Sequence, residues 1–208
     1  MKNTRRHPRR DRASPPFPRT ATHPHALTPD IPHDPTHQDY LERNEVTDRD
    51  DAGVLADGLS KLLKENNAKV CGGALTCASL AVQGSPDLFR QHVPSFLPGV
   101  FDRLGDLKAP VREAARNLLV SLMELGVTPP ADVLGKQSIG WRHKNWRVRE
   151  ELLRTCEQAF TSTNLTDAED LSVKTTLPQV LNALEDREAG VREAAVAATC
   201  AMAPTAGP

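Results

Sequence analysis

From Asp51 onward the apolar residues recur at helical spacing, first as Val54, Leu55, Leu59, Leu62 and Leu63 on one expected face. Asn66 and Asn67 interrupt the pattern, and a second helix is expected from about Ala68 to Gln83 through Val70, Ala74, Leu75, Leu80 and Val82. Gly72 and Gly73 weaken its start by about 1 kcal/mol each relative to alanine. Ser85-Pro86-Asp87 is a helix start, with a capping hydroxyl, proline at the first helical position and an acid against the positive end of the dipole. It opens a helix to Arg103 that Pro94 and Pro98 are expected to kink. Pro110 opens the next, through Val111, Ala115, Leu118, Leu119, Leu122 and Met123, which Gly126 and Pro129-Pro130 close. A short helix from about Ala131 to Gly140 precedes one from Trp146 to Phe160. The capping box Thr166-Asp167-Ala168-Glu169 then starts a helix that carries Pro178 and ends near Glu185. An alanine-rich helix from Ala189 to Met202 completes the series.

Residues 1–50 lack this periodicity and hold eight of the 17 prolines and five of the seven histidines. A segment so poor in apolar residues cannot offset its chain entropy by burial. The chain therefore divides into a disordered basic tail rich in Pro, His and Arg (1–50) and a helical domain (51–208). His23, His25, His33 and His37 alternate with prolines and have neither Cys nor paired carboxylates beside them, so metal ligation is not expected of them.

The helices repeat. Leu97, Pro98, Val100, Leu104 and Asp106, followed by Val111-Arg112-Glu113-Ala114-Ala115, recur 80 residues later as Leu177, Pro178, Val180, Leu184 and Asp186, followed by Val191-Arg192-Glu193-Ala194-Ala195. Val148-Arg149-Glu150 marks a third copy and Lys69-Val70 a degenerate fourth. A period near 40 residues, two helices per unit, proline in the first helix and Asp six residues before Arg form the pattern of HEAT repeats. The fold class expected is all-α: an α-solenoid of about four HEAT repeats behind the tail. Asp106 and Asp186 precede second helices, where each is expected to pair with Arg112 or Arg192 of its own or an adjacent unit. With Arg149 in the third copy, these residues form a structural ladder that holds the repeats in register.

Composition sharpens this picture in three respects. Aromatic residues make up only 4%, so the core must come from Leu, Val and Ala, as stacked helices allow. The formal net charge of −1 hides a split, because residues 1–20 carry seven Lys/Arg against Asp11 alone and the remainder is acidic. Cys71, Cys77, Cys156 and Cys200 have no C-x-x-C spacing; Cys77, Cys156 and Cys200 fall on apolar helix faces as small core residues, which fits a reducing compartment. No run approaches 18 apolar residues, and the N-terminus lacks the apolar core of a signal peptide.

No nucleophile elbow, phosphate-cradling glycine loop or H-E-x-x-H motif is present, so no enzymatic activity and no cofactor are expected. Chemistry is left to the loops inside each helix pair: Asn67 and Lys69; Leu107 and Lys108; Trp141, Arg142, His143, Lys144, Asn145 and Trp146; Arg187 and Glu188. Each supplies a cation on an acidic body, and such a row suits an acidic protein surface better than a compact anion. Trp146 is expected to pack under the helix it opens, whereas Trp141 either closes the preceding helix or projects from the edge. Trp and Arg are the residues most enriched at binding hot spots. Two other classes compete: a HEAT scaffold joining non-cytoskeletal proteins through its inner faces, and nucleic-acid binding by the tail, the less expected of the two.

The stretch Gly140 to Glu150, with both tryptophans and the Val148-Arg149-Glu150 signature, together with Leu104 to Glu113, resembles the amino-terminal TOG domain of the CLASP family of microtubule-associated proteins, plant members above all. The resemblance covers about Leu55 to Met202. It implies a row of HEAT repeats whose intra-repeat loops face tubulin, with Lys69, Lys108, Trp141, Arg142, His143, Lys144, Asn145 and Arg187 at the matching loop positions. It also implies a microtubule-stabilising role in the cytoplasm, on the microtubule cytoskeleton and the spindle, with tubulin as partner and no membrane. A TOG domain of this family has six repeats, the first with a loop tryptophan; here residues 1–50 occupy that place without one, and the sixth repeat is missing. The chain is thus expected to be a fragment, a truncated product or a diverged single-domain relative of a longer protein.

Overall fold

The structure is a computed structural model that describes residues 48–165 and 171–206. Its helices are α1 (Arg49–Leu62), α2 (Ala68–Gly84), α3 (Pro86–Phe89), α4 (Val93–Arg103), α5 (Ala109–Glu124), α6 (Pro130–Leu134), α7 (Trp146–Thr161), α8 (Val173–Ala183) and α9 (Ala189–Met202), with a 3-10 turn over Ala203–Ala206. The described residues contain no strand. They form four helix pairs, α1/α2, α4/α5, α6/α7 and α8/α9.

The second helices stack as one continuous layer, α2 on α5, α5 on α7 and α7 on α9, while α1 packs on α4 and each long first helix on its own second helix. This is solenoid packing, in which every unit covers its neighbour's apolar face. The core runs through the layer as Leu75, Ala78 and Val82, then Leu118, Leu119 and Leu122, then Leu152, Leu153 and Cys156, then Val191, Ala195 and Ala198, all essentially inaccessible to solvent. The expectation of an all-α HEAT solenoid therefore holds.

Several boundaries differ from the sequence reading. α1 begins at Arg49, capped by the Asp48 carboxylate, so helix starts inside the segment assigned to the tail. Its buried face is Ala52, Ala56, Leu59 and Leu63; Val54 is 74% exposed and Leu62 43%. α4 approaches α1 closely near its end, where a Cβ at Gly99 would lie 3.1 Å from Leu63 Cβ. The stretch Pro86 to Arg103 is two helices with a break at Arg90–His92, since Pro94 lies in the first turn of α4 instead of inside a longer helix; only Pro98 is interior. The helix from Ala131 stops at Leu134 and turns carry the chain to Asn145. Cys200 is exposed and Cys77 only half-buried, whereas Cys71 and Cys156 are the buried thiols. Burial pushes the Cys156 thiol up to about 12.

α5 ends at Glu124 and Gly126 closes it as expected, with φ +63 and its N–H donated to Met123 O, the left-handed stop that disfavours any residue with a side chain. Residues 1–47, with the four histidines, and the capping box at 166–169 lie outside the described residues.

Candidate functional site

The intra-pair loops, residues 63–67, 104–108, 135–145 and 184–188, are built on one recurring backbone device. The residue at the arginine of the Val-Arg-Glu signature bonds the carbonyl oxygen six residues earlier. Arg112 Nη1 donates to Asp106 O at 2.9 Å, Arg149 Nη1 to His143 O at 2.7 Å and Arg192 Nη1 to Asp186 O at 2.7 Å. In the first unit Cys71 holds this position, and its Sγ lies 3.0 Å from Glu65 O. The N–H two residues after the anchored carbonyl is also captured: Lys108 N by Asp106 Oδ1 (2.8 Å), Asn145 N by His143 Nδ1 (3.1 Å) and Glu188 N by Asp186 Oδ1 (3.0 Å). The second, third and fourth loops are thus closed at two points, and the first at one, before anything binds them.

The ladder between units exists, but with different partners from those expected. Asp186 accepts from Arg149 of the preceding unit through two bonds of 2.7 and 2.8 Å, both side chains 13% exposed. The Arg149 guanidinium holds the Asp186 carboxyl below the usual carboxylate range, and Asp186 in turn raises Arg149. One junction earlier, the residue equivalent to Asp186 is His143, which offers Arg112 no anion. Arg112 turns to Glu151 instead, at 3.1 Å, and Arg116 joins it at 2.6 Å. Glu151 is buried, and its equivalents in the flanking units are Ala114 and Ala194. At the first junction Cys71 has no charge to give Asp106, and Arg103 supplies it, 3.3 Å from Asp106 Oδ2 and within 3.5 Å of Cys71 Sγ.

Thus the Asp106 carboxylate pairs with neither Arg112 nor Arg192. Among the described residues Arg192 bonds only the backbone carbonyls of Asp186 and Arg187. A guanidinium thus spans each of the three junctions: Arg112 and Arg116 reach Glu151 and Arg149 reaches Asp186 as ion pairs between units, whereas Arg103 pairs with Asp106 inside its own unit and crosses only to Glu65 O and Cys71 Sγ. Three of these residues, Arg103, Arg116 and Glu151, escaped the sequence reading. The legible signal was Glu151, a carboxylate where the other copies place alanine: a buried charge must find a countercharge.

The loop residues implied by resemblance separate into two groups. Trp141, His143 and Asn145 are half-buried and spend their polar atoms internally. The Trp141 indole N–H donates to Gly135 O at 3.0 Å and to Leu134 O at 3.3 Å, so this side chain closes α6. Asn145 Oδ1 caps α7 at Arg147 N (3.1 Å) while Nδ2 reaches back to Gly105 O of the previous unit (3.0 Å). A Cβ at Gly105 would collide with that amide and meet Val148 Cγ2 at 2.9 Å, so the loop-to-loop bond requires glycine there. Trp146 packs against the core at the start of α7 with the Arg147 guanidinium 4.5 Å above its ring.

Lys69, Lys108, Arg142, Lys144 and Arg187 form the second group and are exposed, although Lys69 lies in the first turn of α2, capped by Asn67, instead of in the loop before it. Among the described residues only Arg187 of these has an acidic neighbour within reach, Glu188 at 3.8 Å. Between the third and fourth loops, Arg142, His143, Lys144 and Arg187 rim an open concavity of about 460 Å³ with the Arg149–Asp186 bridge at its side. The exposed cations Arg142, Lys144 and Arg187, with the Asp186 carboxylate already bridged to Arg149, give it a positive potential suited to carboxylates. Among the described residues no helix is long and apolar enough to cross a membrane, and no cluster of His, Cys, Asp and Glu can hold a metal ion.

No family model matches the chain. It is 40% identical over 145 residues to a CLIP-associated protein of Arabidopsis thaliana and 37% identical over 147 residues to a CLIP-associating protein of Drosophila melanogaster. Those alignments cover 68% and 70% of this chain but about a tenth of either relative. Among solved structures, the MAST/Orbit N-terminal domain superposes with a TM-score of 0.66 at 28% identity, over 81% of this chain and 84% of that one. A TOG domain structure of Crescerin, a protein described as using a TOG domain array to regulate microtubules in the primary cilium, gives 0.59 at 25%, over 72% and 60%. The Zyg9 TOG domain of C. elegans, at 0.58 and 21% identity over 82% and 68%, shares the fold. The relatives and the repeat architecture agree, and the helical body of this chain is a TOG domain of the CLIP-associating protein family.

Proposed function

We propose that this chain is a non-catalytic tubulin- and microtubule-binding module that helps to stabilise microtubules through its intra-pair loops. The observation that carries this reading is the row of exposed cations, one or two per repeat: Lys69 in the first turn of α2, then Lys108, Arg142, Lys144 and Arg187 on the three braced loops that follow. Trp141, His143 and Asn145 belong to the same edge as its frame. They fix the third loop so that Arg142 and Lys144 project from a backbone that need not reorder on binding, which limits the entropic cost of association. The scaffold alternative lacks a comparable constellation. The reading assigns the chain to cytoplasmic microtubules, the spindle included.

Co-sedimentation of the full chain with polymerised tubulin tests it. Lys108→Glu combined with Lys144→Glu should abolish pelleting while helicity and melting temperature stay unchanged, since neither lysine pairs with an acid among the described residues. Undiminished pelleting would remove the loop edge as the binding surface.

A further inference from the structure

Superposing the repeats by their anchored carbonyls places one residue of each loop at the same tip position: Asn66, Leu107, Lys144 and Arg187, all exposed. Leu107 is the exception in kind. It is 80% exposed, the most exposed large hydrophobic side chain among the described residues, and occupies a turn where its counterparts are an amide and two cations. Nothing in the fold asks for it. Its side chain covers no core, and the loop is closed by other groups: Asp106 Oδ1 holds Lys108 N at 2.8 Å, and Arg112 Nη1 holds both Asp106 O at 2.9 Å and Leu107 O at 3.3 Å.

A single exposed leucine is ordinary on a protein surface. This one differs because its backbone carbonyl is pinned by a guanidinium that is itself tied to Glu151 of the next unit. The isobutyl group is therefore displayed from a rigid point, with Lys108 beside it and the cationic loops of the third and fourth units along the same edge. Apolar contact at the middle of a polar, water-excluding rim is the usual anatomy of an energetic hot spot.

We propose that Leu107 is the apolar anchor of the edge. It would seat in a shallow nonpolar depression of the tubulin surface, next to carboxylates that meet Lys108, Lys144 and Arg187. The inference rests on the edge being the tubulin-facing surface, and the two can fail separately. The cations supply attraction that salt screens, whereas Leu107 supplies a short-range contact that salt does not weaken. Leu107 thereby selects a partner by shape and apolarity where the cations select only by charge.

The test is co-sedimentation of the full chain with polymerised tubulin at low and at high ionic strength, comparing Leu107→Ser, Leu107→Met and Lys144→Glu, with melting curves for each. Leu107→Ser should weaken binding about tenfold at both ionic strengths with unchanged melting, as truncation of a hot-spot side chain does. Leu107→Met should retain binding, and the loss from Lys144→Glu should shrink as salt rises. If Leu107→Ser binds within twofold of the parent while Lys144→Glu is impaired, the anchor is refuted and the edge reading stands. If both variants bind as the parent does, both are refuted. A Leu107→Ser defect that disappears at high salt would also overturn the anchor, because an apolar contact is not screened.

Discussion

At the scale of single residues, the most consequential contact is Arg149–Asp186, because it joins two units and closes a loop at the same time. Asp186 accepts two bonds from Arg149 and caps Glu188 N, so its carboxylate is held charged below the ordinary carboxylate range. A carboxyl of depressed folded pKa stabilises the fold above its unfolded value, about 3.9, and that stabilisation is lost as pH falls through the lower folded value. Around pH 4 the unfolded chain binds more protons than the folded one at this site, so stability rises with pH there. Asp186→Ala should cost roughly 2–3 kcal/mol at neutral pH, since it strands a largely covered guanidinium. It should also flatten the acid limb of the stability profile, as urea titrations at several pH values would record; an unchanged limb would mean the bridge is absent in solution. That Asp186 is structural was legible from its place six residues before Arg192. Its partner was not, because the sequence shows the spacing inside a unit while the pairing runs between units.

At the scale of elements, periodicity located most of the helices and misplaced the face of one. α1 was assigned its larger residues as core, yet Ala52 and Ala56 are buried while Val54 faces solvent. A close crossing selects for small residues, and helical spacing alone does not distinguish two stripes that are both mildly apolar. The proline starts were legible where the residue lies in the first turn, as at Pro86 and Pro110; Pro94 also lies in a first turn, and the helix it opens was not separated from its predecessor. The glycine pair in α2 remains a weakness that packing does not require. Gly73 is exposed, and a Cβ there would meet no atom within 4 Å. Gly73→Ala should therefore stabilise the protein by up to about 1 kcal/mol, raising the melting temperature by roughly 2–4 °C. A lower melting temperature would show that the α2 surface does not accommodate a methyl group at this position.

At the scale of the whole molecule, an arginine spans every junction with different partners at each: Arg103 to Glu65 O and Cys71 Sγ, Arg112 and Arg116 to Glu151, Arg149 to Asp186. The repeat itself was legible from ten identities at one offset. The substitutions that preserve its junctions were not, because Cys71 and His143 break the pattern locally and are offset by residues outside it. Such a body holds each unit through its neighbours, so its stability is a sum of unit and interface terms instead of a single property. The fourth unit has one described neighbour, joined by α9 against α7 and by the Arg149 bridge. Arg149→Met keeps the stem of the side chain and removes the charge, so it should loosen that junction before any other. Hydrogen exchange should then rise in α8 and α9 while α2 and α5, tied through their own packing and through Glu151, keep their protection. Equal loss in all the helices would instead mean that the solenoid unfolds as one cooperative block, and that the interlocking of its units through the α2, α5, α7 and α9 layer outweighs the separate ion pairs at its junctions.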